Sequence, residues 1–178
     1  KLRQFRSHWI TKDVNKSTVH SKTLYYEMQF IGRDHSITDI QAALGLSQLK
    51  KLKKFIKIKR KYAKIYTQEF KDMEEIICPE QPDNIFSSWH FYVIRLNIDK
   101  IAADRKDIIE ALFKENIGVQ VNDLPVYCNH CGQGSGYIKG SCPNAEKLYE
   151  EIIILPLFPA MSKNDVIDVV RAVKKAIS

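Results

Sequence analysis

The chain lacks most of what would place it outside the ordinary globular class. Four cysteines in 178 residues are too sparse for a disulfide framework. The longest apolar stretch, Ile152 to Met161, holds Pro156 and Pro159 and falls well short of the roughly 20 residues a membrane helix needs. No basic-then-apolar leader opens the sequence, so the thiols read as those of a cytoplasmic protein with no membrane partner. Seven glycines and six prolines exclude a collagenous or low-complexity chain. Catalytic spacings are missing too. There is no H-x-x-x-H pair and no G-x-S-x-G elbow. The glycine-rich Gly132-x-Gly134-x-Gly136 lacks a following Lys-Ser/Thr and opens no helix, which makes it a loop. Chemistry alone therefore offers no complete catalytic set. The first residue is Lys1 rather than Met, and we expect a longer parent chain.

What is present is a core-forming composition, 44% hydrophobic, with a formal charge of +7. Leu2, Phe5 and Trp9 recur at three and four, so Lys1 to Trp9 is expected to be the end of a helix. Thr11 to Lys22 is polar and reads as a loop, and Thr23 to Phe30 as a short strand or extended lead-in. Thr38 with Gln41 three residues on forms a capping-box signature. Behind it Ile37, Ile40, Leu44, Leu49, Leu52, Phe55, Tyr62, Ile65 and Tyr66 trace one apolar stripe, predicting helix to about Phe70. Gly45 within it costs roughly 1 kcal/mol against Ala and is expected to permit close packing or a bend.

Beyond a turn at Cys78 to Asn84, elements alternate. Trp89 to Asn97 has a strand's alternation. Arg105 to Glu115 is amphipathic and closed by Asn116 and Gly118. Val119 to Val121 is a short strand candidate, Leu124 to Gly140 irregular, and Asn144 to Glu151 helical. Ile152 to Leu155 is a buried strand, and Ser162 caps a last helix to Ile177. The order strand, helix, strand, helix, strand, helix makes an α/β layer without internal repeats.

Two clusters carry rival readings. Lys50 to Lys64 contains nine of the 28 basic residues and no acid. A polyanion face is one reading. The solvated side of an amphipathic helix is the plainer one, because the lysines interleave with the apolar stripe, and no specific nucleic-acid partner is expected. Cys128 and Cys131 form a C-x-x-C pair. With Cys142 and either His130 or Cys78 they supply four zinc ligands on paper, but no second C-x-x-C exists, and inert thiols with no metal remain the simpler expectation.

Several blocks in fixed order then carry a resemblance. They are Leu2-Arg3-x-x-Arg6-Ser7-His8, Tyr25-Tyr26-Glu27-Met28-Gln29, and Gly32 followed by Ile37 through Leu49 (ITDIQAALGLSQL). Further on come Ser88-Trp89-His90-Phe91-Tyr92, Gly118-Val119-Gln120-Val121, Cys142-Pro143-x-Ala145-Glu146 and Leu155-Pro156-Leu157-Phe158-Pro159. Together they resemble the C-terminal half of the DegT/DnrJ/EryC/StrS sugar aminotransferases, and most of all those that aminate C4 of UDP-linked 4-keto-6-deoxy sugars toward pseudaminic acid.

The resemblance implies a fold-type I aminotransferase dependent on pyridoxal phosphate. Residues 1–36 would end the large domain, 37–74 form a connecting helix, and 75–178 the small α/β domain. It implies a homodimer that takes glutamate as amino donor and a UDP-linked keto-sugar as acceptor. It also implies that the Schiff-base lysine lies upstream of Lys1, leaving no catalytic residue here and a chain inactive by itself. Two family positions do fall inside. Relatives read Gly-x-Asn-x-Arg, the Asn reaching the partner subunit's site, where this chain has Gly32-Arg33-Asp34-His35-Ser36. In the substrate loop relatives read His-Tyr-x-Pro, where this chain has Asn122-Asp123-Leu124-Pro125 after Gln120 and Val121. The implied binding residues are thus Asp34, Gln120, Val121, Asn122, Asp123 and Pro125. The departures fit an altered substrate and an inactive remnant alike. Such a remnant would serve as a subunit- or zinc-binding module.

Overall fold

The structure is a computed structural model that describes residues 7–11, 27–121, 124–128 and 140–178. It divides into two compact units, Lys1–Lys51 and Leu52–Ser178, whose boundary falls inside one helix.

In the first unit, β1 (Ile10–Thr11) pairs antiparallel with β2 (Glu27–Met28). Ser7 bridges to Asp34, and the His8 amide donates to the Arg33 carbonyl at 3.2 Å. Of the helix end expected over Lys1 to Trp9, Lys1 to Arg6 lie outside the described residues, and the described remainder is not helical. Ser7 to Trp9 form a bridge and turn, with His8 and Trp9 both in the left-handed region at φ 54°. Gly32 explains why the chain can fold back there. A Cβ on it would lie 2.7 Å from the His8 carbonyl carbon and the Trp9 nitrogen, so only glycine admits this approach.

Helix α1 (Asp39–Phe70) starts as the capping box dictates. The Gln41 amide donates to Thr38 Oγ1 at 3.3 Å, and Gln41 Oε1 accepts from the Thr38 amide at 3.0 Å. The helix is continuous through Gly45, and nothing lies within 4 Å of where a Cβ would stand. The close contact expected of Gly45 does not occur among the described residues.

The second unit is built on a sheet of order β3 (Ile76–Ile77), β4 (Tyr92–Leu96), β5 (Ile152–Leu155), antiparallel throughout. Strand β4 buries Tyr92, Ile94 and Leu96, as its alternation requires, and all four residues of β5 are buried. Against this sheet pack Tyr62, Ala63, Tyr66 and Phe70 of α1, Ile108 and Leu112 of α2 (Arg105–Lys114), and Val166, Val169, Val170 and Val173 of α4 (Lys163–Ile177). Helix α3 (Pro143–Glu151) runs directly into β5. Tyr66 joins the layers with polar reach as well as area, its hydroxyl donating to the Pro156 carbonyl at 2.9 Å.

Candidate functional site

The first candidate residue, Asp34, sits in the loop just before α1. Because Gly32 lets the Ser7–Trp9 turn close in, His8 Nε2 comes within 3.7 Å of Asp34 Oδ2, while the Ser36 amide donates to Asp34 Oδ1 at 2.9 Å. Hydrogen bonds from Ser36 hold the carboxyl below its ordinary pKa. The slight burial opposes them, and His8 and His35 add a smaller lowering. Asp34 is thus an exposed, ionised acceptor, with its nearest amide already engaged.

The second candidate group lies in the other unit. Gln120 and Ile154 exchange backbone hydrogen bonds of 3.1 and 2.8 Å, which lays the Val119–Val121 segment along the free edge of β5 as a single bridge rather than a strand. Buried Val119 anchors it, and Val121 is half-buried. Gln120 lines a cavity of about 250 Å³ with His90, Phe91, Gly118 and the chain from Ile154 to Phe158. Asn122 and Asp123 lie outside the described residues. Pro125 is described, and its carbonyl accepts the Cys128 amide at 2.7 Å, closing a 3₁₀ turn (Val126–Cys128). That turn is tied to α3. The Tyr127 hydroxyl donates to Glu146 Oε1 at 2.9 Å, and the Gly140 amide reaches the same oxygen at 2.7 Å. Burial first, and then the adjacent carboxylate of Glu146, push the Tyr127 phenol up, so it acts as a neutral donor.

His90, Phe91 and Glu146 border the candidate groups, and sequence reasoning did not single them out. All three stand inside the quoted blocks, but only the fold shows that two of them wall the Gln120 cavity and the third pins the loop. The zinc set is not assembled among the described residues. Cys78 and Cys142 are free thiols, no cluster of three ligating side chains occurs there, and His130 and Cys131 lie outside them. Along α1, the lysines at 50, 51, 53, 54, 57, 61 and 64 are exposed, as a solvated face requires. Among the described residues no helix is long and apolar enough to cross a membrane.

Comparison with known proteins places these features in context. A family model described as the DegT/DnrJ/EryC1/StrS aminotransferase family matches residues 1–174. An uncharacterized protein of Methanocaldococcus jannaschii is 40% identical over 179 aligned positions, covering 100% of this chain and 46% of that protein. The spore coat polysaccharide biosynthesis protein SpsC of Bacillus subtilis is 34% identical, over 99% of this chain and 46% of its own length. Among solved structures, Helicobacter pylori PseC, an aminotransferase involved in the biosynthesis of pseudoaminic acid, superposes with a TM-score of 0.84 at 28% identity. The match takes in 99% of this chain and 45% of that one. The chain thus spans a little under half the length of the curated relatives it matches.

Proposed function

The chain belongs to the DegT/DnrJ/EryC1/StrS aminotransferase family, and from that premise we propose that it is the C-terminal part of a nucleotide-sugar aminotransferase. The whole enzyme would move an amino group from glutamate to a UDP-linked 4-keto-6-deoxy sugar, as a cytoplasmic homodimer. The observation that carries this reading is the pairing of a family match across nearly the whole chain with relatives about twice as long. In this reading residues 1–36 end the large domain, 37–74 connect it, and 75–178 form the small domain. The cofactor-bearing half belongs upstream.

Pyridoxal phosphate is the family's cofactor and supplies the electron sink for amino transfer. The described residues do not fit it. Asp34 is an ionised acceptor with the Ser36 amide already engaged, and a second anion beside it is repelled rather than cradled. We therefore assign the cofactor to the upstream half. What these residues do is bind and orient. Gln120 walls a small cavity that also holds the His90 imidazole. Pro125 and Tyr127, pinned by Glu146, fix the start of the loop that leaves it. Asn122 and Asp123 complete the sugar-binding loop in this reading. Asp34 faces the neighbouring subunit's site, where it prefers a hydroxyl or ammonium to a phosphate.

The test is expression of the chain alone and joined to the frame upstream of Lys1. The chain alone is expected to show no cofactor absorbance and no glutamate-dependent amination. The joined protein is expected to show both, and to lose amination when a single upstream lysine is changed. Amination by the 178-residue chain alone would overturn the assignment, as would an upstream frame with no such lysine.

A further inference from the structure

A second cavity in the Leu52–Ser178 unit, of about 540 Å³, is lined by Arg60, Lys61, Lys64, Thr67, Gln81 and Trp89 together with one proline. It shares no lining residue with the cavity at Gln120. Three of its walls are cations and none is an acid. Arg60 and Lys64 stand one helical turn apart, as do Lys61 and Lys64, so like charges crowd one rim of α1 at an energetic cost. Among the described residues no carboxylate pairs with any of the three.

The opposite wall is organised. Arg60 Nη1 donates to the Ser87 carbonyl at 2.8 Å, and its guanidinium lies 3.7 Å from the centre of the Phe86 ring. Ser87 Oγ accepts the Trp89 amide at 3.0 Å. That bond holds Trp89 at φ 51°, a left-handed backbone that a bulky aromatic rarely adopts. The indole is braced behind by Tyr92, ring centres 5.5 Å apart. One serine therefore fixes both the arginine and the tryptophan that border the cavity.

We propose that this cavity binds a phosphate ester, its charge held by Arg60, Lys61 and Lys64 and its organic part laid against Trp89. A guanidinium fixed at one nitrogen keeps donors free for phosphate oxygens, and lysines flanking it add charge without demanding geometry. An aromatic face beside them suits the planar or C–H face of a base or sugar. Neither Asp34 nor Gln120 takes part, so this site stands or falls separately from the aminotransferase reading.

Calorimetric titration of the full chain tests it with pyrophosphate, adenosine 5′-diphosphate and adenosine. Pyrophosphate and the diphosphate are expected to saturate with salt-sensitive affinity, and adenosine is not. Lys61→Ala with Lys64→Ala is expected to weaken diphosphate binding at least ~10-fold, whereas Lys53→Ala with Lys54→Ala, exposed and outside the cavity, shifts it less than ~2-fold. Trp89→Ala is expected to weaken the diphosphate more than pyrophosphate. Equal losses in the two lysine pairs would reduce the effect to general charge and overturn the site. So would saturation by adenosine, or no binding of either phosphate.

Discussion

The surroundings of Asp34 give it a pH signature. Its folded pKa lies below the ordinary carboxylate value, so its contribution to the first unit is present above that value, about 3.9, and fades as pH falls through the lowered one. Carboxyl-carbon NMR is expected to find Asp34 titrating below the ordinary carboxylate value. Asp34→Asn is expected to remove that acid dependence while the Ser36 amide keeps a weaker bond, because a neutral amide oxygen still accepts. Glu151 makes the second residue-scale case. It is 3% exposed and takes both Arg95 Nε at 3.0 Å and Arg95 Nη2 at 2.7 Å on one oxygen, with Lys147 3.8 Å from the other. The Arg95 side chain is 41% exposed. Breaking the pair is therefore asymmetric. Arg95→Met strands a buried carboxylate and is expected to cost about 2–3 kcal/mol, against about 1 for Glu151→Gln, read from urea unfolding. Strand alternation put Arg95 opposite the core-facing Tyr92, Ile94 and Leu96, but not on Glu151. That contact comes from the register that sets Arg95 opposite Ile152, and register between distant strands leaves no local mark.

Among the elements, the ends of helices were the most legible. Thr38 with Gln41 and Ser162 at the start of α4 cap as their spacing requires, the latter in a full box with Asp165. Helix α2 ends at Lys114 in a Schellman pattern, with the Ile117 amide donating to the Leu112 carbonyl and the Asn116 amide to Phe113, both at 2.9 Å. Asn116, at φ 60°, takes the left-handed position there. Asn116→Gly is expected to change stability by only a few tenths of a kcal/mol and Asn116→Val to cost about 1–2, measured by thermal unfolding. Gly45 is helical with open space around it, so Gly45→Ala is expected to stabilise α1 by roughly 0.5–1 kcal/mol in this chain. Two segments eluded sequence reasoning. Ser7 to Trp9 carried helical spacing, but Gly32 from far along the chain folds that segment into a turn. Trp89 looked like the start of a strand that begins only at Tyr92, because Ser87 holds it in a left-handed conformation. A distant residue overrode the local pattern in the first, and a local side-chain-to-backbone bond did so in the second.

For the whole molecule, the apolar stripe of α1 divides in two. Tyr62, Tyr66 and Phe70 vanish into the core, while Leu44 and Leu49 stay 62% and 63% exposed. The periodicity was readable end to end, but which turns are covered was not, since burial depends on what the helix meets. The second unit has one continuous core shared by α1, the sheet, α2 and α4. Deleting the chain from Ser162 onward removes Val166, Val169, Val170 and Val173 together, and is expected to abolish the cooperative unfolding transition seen by circular dichroism. The antiparallel sheet bears on how such a chain is made. Central strand β4 finds β3 close behind it, but its other neighbour, β5, is encoded only after α2 and α3. On the ribosome β4 must wait, one edge open, through α2 and the glycine-rich segment before β5 emerges. Closing so long a loop is slow, and the waiting edge is where a nascent chain pairs wrongly. The speed of translation between Asn97 and Ile152 thus sets how long that hazard lasts.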